Sequence, residues 1–183
     1  CRLYRDQGRL TEREQLFKKA IELNPNNDYA YKQLGWLYKG QERFTEAEQL
    51  FKKATELNHN SDSTYAELGA LYISQERFTE AEQLFKKAIE FNPNSDYTYI
   101  RLGRLYMDQG RFTEAEQALK KAIELNPNND STHIELGRLY ISQERFTEAE
   151  QALKKAIKLN PNNERLYGCL AIIYREFGNN ELS

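Results

Sequence analysis

Apolar residues along this chain fall on two alternating stripes, and the clearest example is the segment 96–129, DYTYIRLGRLYMDQGRFTEAEQALKKAIELNPNN. Tyr99, Leu102, Gly103 and Tyr106 stand at i, i+3, i+4 and i+7, which is one face of an α-helix. Ala115, Leu119 and Ala122 form a second helical stripe, with Ala118, Ile123 and Leu125 beside it. Asp108-Gln109-Gly110-Arg111 breaks the two helices apart. Asn126-Pro127-Asn128-Asn129 ends the second, because proline cannot continue a helix and disfavours helical backbone in the residue before it. Thr113 and Glu116 have the spacing of a capping box, repeated at Thr11/Glu14, Thr45/Glu48, Thr79/Glu82 and Thr147/Glu150.

The pattern recurs every 34 residues: Gly35, Gly69, Gly103 and Gly137 keep that spacing, as do Tyr38, Tyr72, Tyr106, Tyr140 and Tyr174. A fixed period in this range predicts a solenoid, in which each unit buries its apolar face against its neighbours. The expected organisation is one all-α domain over 1–183. It has a partial repeat at 1–27, complete repeats at 28–61, 62–95, 96–129 and 130–163, and a terminal capping helix within 164–183. Glycine is costly inside a helix, so its recurrence on the apolar stripe predicts close helix approach. His59 replaces the boundary proline found at Pro25, Pro93, Pro127 and Pro161, which predicts a softer junction. The first repeat begins partway through its first helix, and Ile172 and Ile173 are less polar than a terminal cap should be. Both ends therefore read as places where further repeats, or another molecule, would join.

Charged residues make up 30% of the chain and hydrophobic ones 39%, as expected of a soluble folded protein. The net charge of -2 argues against non-specific nucleic-acid binding, and no apolar run reaches the length of a membrane span. Cys1 and Cys169 lie at opposite ends of the array, which predicts two reduced thiols and fits a reducing, cytoplasmic compartment. No catalytic constellation stands out. His59 falls in a turn and His133 on the core stripe, with no cysteine cluster beside them, so neither a metal nor a cofactor is expected and the fragment reads as non-enzymatic. The lysine pairs 18–19, 52–53, 86–87, 120–121 and 154–155 each have glutamates at helical spacing and read as a solvated outer face.

Tyr99, Leu102-Gly103, Tyr106, Ala115, Leu119, Ala122 and Pro127 together resemble the tetratricopeptide repeat, whose pattern runs aromatic, Leu-Gly, Tyr, Ala, Phe, Ala, Pro. Phe17, Phe51 and Phe85 occupy the Phe step in earlier units, while Arg13, His133, His59 and Ala171 depart from the pattern. The pentatricopeptide repeat, an RNA-reading array, has a period one residue longer and a more basic surface. The resemblance implies a right-handed superhelical α-solenoid of antiparallel helix pairs, with the first helix of each repeat lining a concave groove.

On that basis the groove receives Tyr29, Lys32, Trp36 and Lys39 from the first complete repeat, and Ile73 from the second. The third supplies Tyr97, Ile100, Arg101, Arg104 and Met107, and the fourth Ile134, Arg138 and Ile141. Arg2, Arg5, Asp6, Arg165, Cys169, Ile172, Arg175 and Glu176 extend it at the ends. Nine cations stand against five anions (Asp6, Glu67, Asp108, Glu135 and Glu176), so this face carries about +4 on a chain of net -2. The expected function is a protein-interaction module whose partly apolar, net-basic groove holds a segment with acidic and apolar residues. Trp36, Tyr97, Arg104, Met107 and Arg138 would be its main anchors. Of the family's clamp for acidic chaperone tails only Lys32 and Arg101 match, since Trp36, Glu67 and Tyr97 occupy the other steps. Two alternatives are homotypic assembly through the array ends and service as the recognition arm of a larger enzyme.

Overall fold

The computed structural model describes residues 2–163, 166–168, 170–171 and 173–175, with side chains from residue 9 onward. The described residues are helical apart from short turns. Two compact units are present, Cys1–Pro93 and Asn94–Ser183. The first holds α1 (Arg2–Leu23), α2 (Asp28–Gly40), α3 (Phe44–Leu57), α4 (Asp62–Ser74) and α5 (Phe78–Phe91). The second holds α6 (Asp96–Asp108), α7 (Phe112–Leu125), α8 (Asp130–Ser142) and α9 (Phe146–Leu159), followed by helical residues within 166–175. In both, adjacent helices pair, α2 with α3, α4 with α5, α6 with α7 and α8 with α9.

The recurring glycines set how closely these pairs pack. A Cβ added at Gly35 or Gly69 would lie 3.1 or 2.9 Å from the Phe51 or Phe85 ring. At Gly103 and Gly137 it would lie 2.8 Å from Leu119 and Leu153. Phe51, Phe85, Leu119 and Leu153 are fully buried, as are the alanines of the second stripe, Ala47, Ala54, Ala81, Ala88, Ala115, Ala122, Ala149 and Ala156. His133 is buried too, and its Nε2 lies 3.1 Å from the Pro127 carbonyl oxygen. One repeat later Tyr167 donates its hydroxyl hydrogen to the Pro161 carbonyl at 3.0 Å, so the imidazole occupies a tyrosine's place.

The capping boxes do not form. The second helices begin at Phe44, Phe78, Phe112 and Phe146, one residue ahead of each threonine, and their N-cap arginines make no side-chain cap bond. Thr11 and Glu14 lie within the unbroken α1, where no helix starts. Side-chain capping occurs at the first helices instead: Asn27, Ser95 and Asn129 accept from the backbone amides of Ala30, Thr98 and Ser131.

Tertiary partners take up the glutamates of the expected boxes. Tyr38, Tyr72, Tyr140 and Tyr174 donate to Glu14, Glu48, Glu116 and Glu150 at 2.6–2.9 Å, tying α1 to α2, α3 to α4, α7 to α8 and α9 to the helical residues that follow it. Lys18, Lys52, Lys120 and Lys154 pair with the same four carboxylates from one helical turn away. Arg43, Arg77 and Arg145 reach Glu14, Glu48 and Glu116 while covering the Tyr38, Tyr72 and Tyr140 rings. The Arg145 hydrogen bond, helped by Lys120 and Tyr140 against the opposing effect of burial, holds the Glu116 carboxyl down at about 2. A second link closes each repeat: Asn58, Asn92, Asn126 and Asn160 donate to Asp28, Asp62, Asp96 and Asp130.

Candidate binding face on the first helices

Positions 29, 32 and 36 of α2 lie on one helical face, because residues three and four apart stack. Tyr29 and Trp36 are 59% and 54% exposed, unusually open for large aromatic side chains. The Lys32 ammonium sits 5.9 Å from the Tyr29 ring centre and donates to Ser63 Oγ of α4 at 3.0 Å. Between these helices lies a cavity of about 280 Å³ lined by Lys32, Gln33, Trp36, Ser63 and Glu67. Glu67, only 8% exposed, forms one wall, and Lys39 Nζ approaches its Oε2 at 3.8 Å.

The second unit uses the same positions differently. Tyr97 is 37% exposed, and its hydroxyl accepts from Arg101, whose guanidinium carbon lies 4.9 Å from the ring centre. Arg104 donates to Glu135 Oε1 at 2.6 Å, and Arg138 donates to Glu135 Oε2 at 3.3 Å. Glu135 is 3% exposed, so these two arginines offset a buried carboxylate. Met107, Ile134 and Ile141 are half-buried, as is Ile73 in the first unit.

Two expectations change. Ile100 is 6% exposed and belongs to the core, so it offers no surface to a ligand. Fewer of the groove cations are on offer than the count of nine, because Arg104 and Arg138 converge on Glu135 and Lys39 neighbours Glu67. The convergence joins residues 31 apart, the repeat length less one helical turn: Lys32 meets Ser63 and Arg104 meets Glu135. That offset was the available signal in the sequence. Arg165, Cys169, Ile172 and Glu176 lie outside the described residues, as do Cys1 and the side chains of Arg2, Arg5 and Asp6. Among the described residues, no three of His, Cys, Asp and Glu group to hold a metal ion, and no helix is long and apolar enough to cross a membrane.

A family described as the cilia and flagella-associated protein 70 C-terminal domain matches residues 37–181. Two tetratricopeptide repeat families match residues 16–49 and 2–27. The chain belongs to the tetratricopeptide repeat family, and over residues 37–181 to that C-terminal domain family. Tetratricopeptide repeats are scaffolds for protein–protein interaction and are generally non-catalytic. No curated protein matches the chain.

Solved structures share the fold. TTC0263, a thermophilic tetratricopeptide repeat protein of Thermus thermophilus, superposes with a TM-score of 0.81 at 23% identity, covering 94% of either chain. Pseudomonas aeruginosa pilF gives 0.80 at 19% identity, over 97% of this chain and 81% of its own. YrrB, described as a tetratricopeptide repeat protein with an unusual peptide-binding site, gives 0.68 at 23% identity over 93% and 88% of the two chains.

Proposed function

We propose that this array holds a peptide segment of a partner protein against its first helices, on a partly apolar and net-basic groove. The observation that carries the reading is the face of α2, where Tyr29 and Trp36 stand exposed on either side of Lys32, next to an open cavity. Exposed aromatic residues beside a cation are the side-chain types that dominate binding energy at protein interfaces. Lys32 is engaged by a hydroxyl and a ring, both neutral, so an acidic residue of the partner would gain a charge-assisted bond there. The resemblance to YrrB, described by its peptide-binding site, supports the same mode of use.

Selection of peptides from a displayed random library on the intact chain tests this reading. Selected peptides should contain apolar and acidic residues. Trp36→Ala should weaken them about 30-fold, the effect of losing one hot-spot side chain. Lys32→Ala should weaken them less and reduce the salt dependence. Equal affinity for parent and Trp36→Ala would reject the α2 face as the site. Arg104 and Arg138 make poor test positions, because glutamates there would be placed against the buried Glu135 and disturb the fold.

A further inference from the structure

The cavity beside Trp36 has a counterpart in the second unit, and the comparison indicates what would enter it. With a shift of two repeats, Trp36 corresponds to Arg104 and Glu67 to Glu135. In the second unit Arg104 crosses from one first helix to the next and lays its guanidinium on Glu135 at 2.6 Å. In the first unit the equivalent position is an indole, which donates no charge to the carboxylate, and about 280 Å³ of space lies between them. Resting on the proposed peptide-binding reading, we infer that this cavity takes an arginine side chain from the bound segment. Its guanidinium would lie between the Trp36 ring and the Glu67 carboxylate.

Three features fit this occupant. A guanidinium is flat and weakly hydrated, so it stacks on an indole while donating in its own plane to a carboxylate. Glu135 shows that a carboxylate at this register position accommodates two guanidinium groups together, Arg104 and Arg138, and Glu67 holds the same position in the first unit, with Lys39 Nζ 3.8 Å from its Oε2. An acidic side chain in the same space would instead press a second carboxylate against Glu67, which is nearly buried. Among the described residues, Lys32, Lys39 and Glu67 are the charged groups around the site. The Lys32 ammonium is held to Ser63 and faces the Tyr29 ring, where it is placed to meet an acidic neighbour of the arginine. The recognised pattern is therefore an arginine with an acidic residue close by.

Trp36 is the only tryptophan of the chain, so its fluorescence reports this cavity directly. The intact protein is titrated at constant ionic strength with the capped tripeptides Ac-Gly-Arg-Gly-NH2, Ac-Gly-Glu-Gly-NH2 and Ac-Gly-Leu-Gly-NH2. The arginine peptide should give a saturable response in the millimolar range and bind at least about fivefold more tightly than the other two. Glu67→Gln should weaken the arginine response about tenfold and leave the leucine response unchanged. A second variant, Trp36→Arg, supplies the guanidinium from the chain itself. It should unfold at a higher temperature than Trp36→Leu.

No saturable arginine response, a tighter glutamate response, or an arginine response indifferent to Glu67→Gln would overturn the inference. So would a Trp36→Arg variant no more stable than Trp36→Leu. Library peptides that depend on Trp36 but carry no arginine would overturn it while leaving the proposed function standing. Loss of every Trp36-dependent peptide would reject both.

Discussion

Three glutamates occupy backbone that favours glycine. Glu42, Glu76 and Glu144 have φ of 60°, 59° and 59°, while Gly110 fills the same turn position in the third complete repeat at φ 70°. The three glutamate side chains are exposed, and nothing lies within 4 Å of a Cβ built on Gly110, so this is a conformational effect rather than one of crowding. Left-handed backbone costs an L-residue about 1–2 kcal/mol. Glycine avoids that cost but loses about 0.5–1 kcal/mol more chain entropy on folding. The balance predicts that Glu42→Gly, Glu76→Gly and Glu144→Gly each stabilise by about 0.5–1 kcal/mol. The sites share no partners, so the triple variant should gain about 2 kcal/mol. For a chain of this size that is a rise in unfolding temperature on the order of 5 °C. Gly110→Glu should lose about as much as one site gains. Urea titration followed by circular dichroism gives the free energies, and thermal melts give the shift. A triple variant no more stable than the parent, or a neutral Gly110→Glu, would refute the argument.

Three further outcomes follow from packing and charge. Gly137→Ala should destabilise the chain in urea by about 1–2 kcal/mol: helix propensity favours alanine by about 1 kcal/mol, but its Cβ would lie 2.8 Å from Leu153. Thr132 is buried with no hydrogen-bond partner for its hydroxyl, whereas the Thr98 hydroxyl bonds Ser95 at 2.9 Å. Thr132→Val should therefore be neutral or stabilising, while Thr98→Val costs about 1 kcal/mol in the same assay. Glu116, ordinarily near 4.5, is held at about 2, so its contribution is complete at neutral pH and is lost as pH falls from about 4.5 towards 2. Glu116→Gln should cost about 1–2 kcal/mol at neutral pH, after allowance for solvent screening, and should flatten that part of the stability–pH curve.

The helical stripes, the glycine contacts and the burial of His133 were legible because they follow from helical register within one repeat. The caps were misread because Thr113 and Glu116 satisfy a local motif that the tertiary structure overrides. The helix opens one residue before Thr113, and Tyr140 and Arg145 of the next repeat claim the Glu116 carboxylate. A motif four residues long carries no information about partners 24 and 29 residues away. The same limit explains Ile100. It shares its off-stripe position with Lys32, and register alone does not separate a buried side chain from an open one.

Near-identity between repeats makes their differences the informative positions. Glu67 and Glu135 occupy one register position, and both are buried, so a cation beside each offsets the cost of burying a carboxylate. The second unit provides it with Arg104 and Arg138. In the first unit those positions are Trp36 and Ala70, and the nearby cation is Lys39, one turn further along α2, where the second unit has Met107. Moving the charge by one turn leaves the crossing position to an indole and opens the cavity beneath it. None of these changes touches the glycine and alanine stripes that hold the helix pairs together. Under the proposed reading the repeat alters what it binds without altering how it folds, because the proposed binding face and the packing stripe are different faces of the same first helix.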